Sequence, residues 1–416
     1  MNETLNTTPK DLSTSSSRAK SGARLILILG ALSAFGPLSL DMYLPSLPAL
    51  ARDLGSGASQ AQLSLTFCLL GLAVGQLLAG PLSDVRGRRG PLLISLAVYF
   101  AASLACAYSP SIWAFCALRL IQGLAGAAGI VLSRAVVRDM YTGTELTRCF
   151  AMLMLVNGAA PVLAPILGAQ LLNWTSWRGI FLILAAIGII MLASVWLWLP
   201  ETLPRDRRAR GGLPQTLAAF RDLLRDRRFV GLALSQGFMY AAMFAYISGS
   251  PFVLQDLYKV SPQGFSLVFA VNGLGIILAG QTAGRLAGRV REERLFAAGI
   301  AMGLAGGLGL LASVLADAGL AAILCCLFLV VSSIGIASTS GTSLAMEHYG
   351  HAAGSASALL GLVSFIAGGI ISPLVGLGGQ GTALPMGALI AAAEVGALLC
   401  YVSLASGTRR KASRRT

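Results

Sequence analysis

Charge is what this chain of 416 residues has least of: Asp, Glu, Lys and Arg make up 12% of it, against ~25% in an ordinary soluble domain. So few charges cannot cover the surface of a water-exposed protein of this length. Histidine is almost missing, with only His348 and His351. No nucleophile and base stand at a recognisable spacing, which argues against an enzyme. The H-x-x-H spacing of the histidine pair reads as a solvated loop before it reads as a metal site. The seven cysteines, among them Cys68, Cys106, Cys325 and Cys400, fall mostly inside apolar runs without metal-ligand spacing. They read as helix-packing residues, and no metal or cofactor is expected. An apolar signal segment is also lacking before the first apolar run, so the Ser- and Thr-rich residues 1–23 read as a disordered cytoplasmic tail.

Apolar sequence fills the rest. Hydrophobic residues make up 56% of the chain, and runs such as 92–108, 180–199 and 323–336 contain no charge at all. A run of roughly 20 such residues spans a hydrocarbon core of about 30 Å as a helix. The runs predict spans at 25–47, 60–82, 91–108, 111–133, 149–172 and 176–199. A second six follow at 229–254, 264–284, 295–315, 319–342, 352–375 and 382–405. The expected fold is therefore all-α and integral to the membrane, with about twelve transmembrane helices in two six-helix halves.

The one long hydrophilic interruption separates the halves. It gives an N-terminal bundle at 24–200, a cytoplasmic linker at 201–228, a C-terminal bundle at 229–405 and a basic cytoplasmic tail at 406–416. Two such repeats with a site between them are the architecture of a transporter.

The net charge of +14 would suit a nucleic-acid partner, but its placement points to a lipid bilayer. Arg24, Arg86, Arg88, Arg89, Arg134, Arg138, Arg148, the linker, Arg285 to Arg294 and the tail all fall on one side of the predicted topology. Little beyond Arg52, Arg178 and Lys259 falls on the other. This asymmetry places both termini in the cytoplasm of a multi-pass protein of a bacterial inner membrane. One inside loop, 347–351, breaks the pattern by carrying no Lys or Arg.

Ionisable residues within spans are costly and default to function. Asp41 and Arg119 fall at similar depth, so an acid and base can meet there; the pair reads as a proton-coupling site or as a fixed structural ion pair. Glu394 reads as a second protonation site or as a neutral acid bonded to a neighbouring helix. Tyr43, Gln122, Asn157, Gln236, Tyr240 and Asn272 are candidate linings of a substrate cavity, each equally able to serve as an interhelical hydrogen-bond partner.

Three stretches sharpen the reading. The loop after the second span contains Gly80, Asp84, Gly87, Arg88 and Arg89, in the spacing G-x-x-x-D-x-x-G-R-R. The fourth span carries Arg119, Gln122 and Gly123 as R-x-x-Q-G and ends near Asp139. Together these resemble the major facilitator superfamily. The resemblance implies a conformational gate in which Asp84, Arg88 and Asp139 form a cytoplasmic ion network that steadies the outward-open state. A narrower resemblance rests on Asp41-Met42-Tyr43-Leu44-Pro45, Trp174-Thr175-Ser176-Trp177, Pro200-Glu201-Thr202-Leu203-Pro204 and Gly249-Ser250-Pro251. These look like the bicyclomycin and chloramphenicol resistance (Bcr/CflA) branch of drug:proton antiporters.

The fifth span departs from the antiporter pattern G-P-x-x-G-G, reading Ala164-Pro165-Ile166-Leu167-Gly168-Ala169. The second-half loop lacks an acid at the matching place, so the cytoplasmic latch is expected mostly in the first half. The resulting expectation is a monomeric exporter of small drugs driven by the proton gradient. A carrier for a nutrient or endogenous metabolite is the alternative.

Overall fold

The structure, a computed structural model, describes residues 24–208, 213–347, 349, 353–379 and 381–405. The two tails and the histidines at 348 and 351 lie outside the described residues. Among those described, eleven helices are each long and apolar enough to cross a bilayer, and a bent pair supplies a twelfth span. In lipid the backbone must satisfy its own polar groups, and a helix does so within one segment.

We number the spans in chain order. The first half holds α1 (Arg24–Ser33 and Phe35–Asp53), α2 (Ala58–Arg86), α3 (Arg89–Ala107), α4 (Ile112–Met140), α5 (Gly143–Leu171) and α6 (Trp177–Trp198). The second holds α7 (Arg227–Phe252), α8 (Pro262–Leu286), α9 (Glu292–Leu315), α10 (Gly319–Met346), α11 (Ala353–Val375) and α12 (Leu384–Cys400). A short helix, Leu213–Arg225, lies in the linker and buries Phe220 and Leu223 against the second half.

Several helices outrun the apolar windows that predicted them. Helices α2 and α4 continue past the apolar run to Arg86 and Met140, because helical hydrogen bonding does not stop where hydropathy does. Gly80 to Arg86 are therefore helical, and the expected loop shrinks to Gly87 and Arg88. The first span departs most. It bends by 40° between Ser33 and Phe35, where the ring of Pro37 crowds the Ser33 carbonyl and offers it no N–H. It breaks again after Asp41 into a 3₁₀ turn, Leu44–Ser46, that contains Pro45.

The halves meet along α2 with α11 and α5 with α8. Their polar contacts cluster at the end opposite the arginine-rich one. Gln62 Nε2 donates to the Ser248 carbonyl at 2.9 Å, and Ser59 Oγ donates to that of Pro373 at 2.8 Å. Thr66 Oγ1 donates to the Gly369 carbonyl at 2.8 Å. That carbonyl lacks its helical donor because position 373 is proline. Between Gln62, Phe252, Gly376 and Met386 only about 10 Å³ of free space remains, no more than one water needs. This end of the molecule is closed.

Candidate functional site

Asp41 is the last residue of the helical segment Phe35–Asp41, just before the chain unwinds. Breaks of this kind mark the sites of transporters, where exposed backbone and side chains face a cavity and not lipid. The residue is buried, at 7% exposure. It lies within electrostatic range of Arg119 and Cys68 in its own half and of Tyr246 in the other. It thus sits at the seam of the two halves.

Arg119 is fully buried and makes no ion pair with Asp41: the fixed structural pair considered from the sequence is not formed in this conformation. Its guanidinium lies 4.6 Å from the centre of the Tyr43 ring and 5.6 Å from that of Phe181. One nitrogen donates to Gln122 Oε1, whose amide nitrogen donates to Ser103 Oγ at 2.7 Å. The Nε and Nη2 of Arg119 find no hydrogen-bond partner among the described residues. Stacking on aromatic rings offsets part of the loss of water around a guanidinium. Two buried donors are nevertheless left unsatisfied, a condition that each such group resists by about 1–3 kcal/mol.

The six proposed cavity residues divide. Tyr43 and Gln122 are completely enclosed within the first half, Tyr43 bonded to Ser64 Oγ at 2.9 Å. Here they shape the surroundings of Arg119 and do not line a cavity. Asn157 is half-buried and donates back to Leu153 on its own helix. Gln236 is 5% exposed with Oε1 unpartnered among the described residues, and Tyr240 packs between a core cluster of the second half and one that both halves share. Asn272 donates to Tyr246 Oη at 2.9 Å, which ties it to the seam near Asp41. It also reaches a membrane-facing crevice of about 670 Å³ between α8 and α10, beside Leu267, Val271, Leu324 and Phe328.

Glu394 lies elsewhere, between α12 and α9. It is completely buried, and neither carboxyl oxygen has a partner among the described residues. The expected bond to a neighbouring helix is therefore not made. What accommodates the side chain is glycine: a methyl at Gly303 would come within 2.5 Å of Oε2, and one at Gly307 within 3.3 Å of Cγ.

At the arginine-rich end the residues of the expected ion network, Asp84, Arg88 and Asp139, do come together, and they do so here with the opposite end closed. Arg88 Nη1 reaches Asp84 Oδ1 at 2.6 Å, and its Nε donates to Asp139 Oδ2 at 2.9 Å. Only 4% of the Arg88 side chain is exposed. Burial disfavours its charge, but the bonds to Asp139 and Asp84 outweigh burial and hold the guanidinium protonated. Arg89 Nη2 donates to the Trp196 carbonyl at 2.6 Å. A methyl at Gly80 would make an ordinary van der Waals contact with Val131, at 3.8 Å. Gly87 takes φ +94°, in the region where a side chain is strained.

One residue that sequence reasoning passed over completes this cluster. Glu201, from the linker, accepts the backbone N–H of Arg88 at 2.8 Å and of Arg89 at 3.2 Å. It thereby caps the first turn of α3, where a carboxylate is favoured. A methyl on Gly87 would lie 2.5 Å from Glu201 Oε2, so glycine is required twice over. The signal was present in the Pro-Glu-Thr-Leu-Pro stretch, but a partner 113 residues away leaves no trace in local pattern.

The second half carries a cluster that the sequence reading did not expect. Arg228, at the start of α7, reaches Glu347 Oε2 at 3.3 Å and Glu293 Oε1 at 3.6 Å. The acids stand at the end of α10 and the start of α9, and the base is borrowed from α7. The inside loop without Lys or Arg supplies one of those acids.

A model of the Major Facilitator Superfamily matches residues 27–373. An uncharacterized MFS-type transporter of Bacillus subtilis (strain 168), YdgK, is 44% identical over 91% of this chain and 95% of its own length. A bicyclomycin resistance protein homolog of Haemophilus influenzae is 31% identical over 93% of this chain and 97% of its own. Among solved structures, that of the nucleoside transporter NupG shares the fold with a TM-score of 0.74, covering 91% of this chain and 99% of that one at 16% identity.

Proposed function

We propose, from the premise that this chain belongs to the major facilitator superfamily and is a multi-pass membrane transporter and not an enzyme, that it exports small drugs in exchange for protons. The arginine-rich end faces the cytoplasm of a bacterial inner membrane, and both termini lie there. The bicyclomycin resistance named for the Haemophilus relative supports a bicyclomycin-like cargo, and the name of a chloramphenicol resistance protein of Pseudomonas aeruginosa, 30% identical over 85% of this chain and 83% of its own, supports a chloramphenicol-like one.

The observation that carries the reading is the placement of Asp41. An acid at the break of the first span, on the seam and free of an ion pair, is held near a buried arginine that has donors to spare. When the cavity wets, Asp41 exchanges a proton with the open side. When the cavity closes, low polarity favours the neutral acid and the arginine favours the anion. Cargo and proton compete for the seam, and rocking of the halves presents it to each side in turn. Asp84, Arg88, Arg89 and Asp139, with Gly80 and Gly87 in the same segment, hold the cytoplasmic end of the first half as one body during that motion.

Reconstituted vesicles with an imposed pH gradient test the reading. Wild type drives uphill movement of chloramphenicol or bicyclomycin, and Asp41→Asn reduces it to the level of empty vesicles while cargo binding persists. An Asp41→Asn variant that still exports uphill with the wild-type pH profile would refute the proton role. A strain lacking the gene that shows unchanged drug susceptibility, yet depends on one metabolite for growth, would instead mark a metabolite carrier.

A further inference from the structure

At the closed end, α1 finishes in the adjacent pair Arg52 and Asp53, and the two side chains go separate ways. Asp53 Oδ2 accepts from Trp177 Nε1 and from Arg178 Nη2, both at 3.0 Å, which fixes the end of α1 to α6 within its own half. Arg52 reaches across the seam instead, and its Nη1 meets Asp256 Oδ1 at 3.0 Å. The other ion pairs between described residues lie within one half or its linker.

Asp256 is held for this contact by an unusual piece of backbone. Helix α7 ends in a single π turn, Val253–Leu257, which widens the helix by one residue. Such turns recur at functional positions. The Asp256 side chain is 20% exposed, against 63% for Arg52. Its second oxygen, and the Nε2 of neighbouring Gln255, are buried without partners among the described residues. The acid is thus sheltered and incompletely bonded, and the arginine remains wet enough to leave.

We propose that Arg52 and Asp256 form the outer latch of this carrier, an ion pair made only while the outer end is closed and parted each time the chain opens outward. Nearby seam bonds, from Gln62, Ser59 and Thr66, end on backbone carbonyls. They add no charge for salt to screen. The Arg52 pair is the element of the seam that ionic strength reaches. Asp53 serves as the positioning residue: by tying α1 to α6 it lets Arg52 pull on the whole first half and not on a loose helix end. The latch depends on the two-half architecture alone and on neither the cargo nor the proton.

The test is the separation of spin labels on Gly57→Cys and Gly381→Cys, at the outer loops of the two halves, measured by double electron–electron resonance in bilayer discs. Both glycines have open space for a side chain. The cysteines that are not buried, Cys325, Cys326 and Cys400, are replaced by Ala. A short separation dominates at low salt. Arg52→Gln and Asp256→Asn each lower the closed-to-open ratio by about fivefold, the upper range for a partly exposed ion pair. The exchange of Arg52→Asp with Asp256→Arg restores it. Raising the salt opens wild type and leaves Arg52→Gln unmoved. The proposal fails if the neutral variants keep the wild-type ratio, if the exchanged pair stays as open as either single variant, or if the short separation is missing from wild type. Should Asp256→Asn fail to fold, Arg52→Gln, whose side chain is mostly in water, decides the outcome with the salt series. Because no transport is measured, a negative result leaves the export reading standing, and a failed export assay leaves the latch standing.

Discussion

The two halves each tie their helix ends at the arginine-rich side with one arginine between two acids, and they do it to different strength. In the first half Arg88 is 4% exposed and bonded at 2.6 and 2.9 Å. In the second, Arg228 is 24% exposed and stands 3.3 and 3.6 Å from its acids. Burial raises the stakes: a sheltered guanidinium that loses a partner leaves a bare charge, whereas a wet one is rehydrated. The first half is thereby clamped as a rigid body, and the second keeps a softer, salt-sensitive tie. The same asymmetry runs through the spans. The first half sets a seam acid near a buried base without joining the two in an ion pair, and the second encloses Glu394 with no partner among the described residues.

Breaking the comparison at its strong side has the largest effect. Arg88→Ala, which leaves Asp139 at 15% exposure without its cation while the half-exposed Asp84 is rehydrated, lowers stability by about 3 kcal/mol, the lower end of the range for stripping one partner from a buried ion pair. Thermal unfolding in detergent reads this as a large fall in Tm. A small fall would mean that the first cluster is as wet as the second. The paired change, Arg228→Ala, lowers stability by only about 0.2–1 kcal/mol, and most of that difference disappears in high salt.

Next in size is Arg119→Lys, which keeps the charge and removes the flat surface stacked on Tyr43. A loss of about 1 kcal/mol of cation–π stabilisation lowers the Tm in detergent; an unchanged Tm would show that charge alone suffices. Glu201→Gln is smaller and depends on pH. Burial raises the Glu201 carboxyl, but the N–H groups of Arg88, Leu203 and Arg89, together with Arg208, outweigh burial and hold it below its ordinary 4.5. A folded-state value below the unfolded one means that the stabilisation is fully present above pH 4.5 and disappears as the pH falls through the depressed value. Wild type therefore unfolds at a higher temperature than Glu201→Gln near neutrality, and the two converge in acid. Convergence on the alkaline side would reverse the assignment. Smallest of all, Glu394→Gln leaves the pH profile of vesicle transport where it was, because the residue lies off the seam. A displaced profile would make the second half a proton carrier too.

Much of this molecule was legible before its structure. Twelve spans, the division into halves and the arginine-rich end follow from hydropathy and charge placement, since the bilayer imposes a local rule on each run of residues. Asp41 announced itself as a charge within apolar sequence, and Arg88 and Asp139 through the resemblance of their motifs to the superfamily. The readings that fell short concern contacts. Tyr43 and Gln122 looked like cavity residues because polar groups in a span suggest one, but packing turned both inward around Arg119. Glu201 and Arg228 looked like ordinary linker charges.

What the sequence by itself determined is where the chain enters and leaves the membrane and where ionisable groups depart from its apolar rule. Each of these depends on a window of about 20 residues and a bilayer of known thickness. Only the tertiary structure decided which charges touch. It set Arg88 against Asp139, Arg228 between Glu293 and Glu347, and Arg52 against Asp256 across the seam. It also left Asp41 without an ion pair. Such contacts depend on the rotation and height of one helix against another to within an ångström or two, a register fixed by packing and not by the composition of either helix alone.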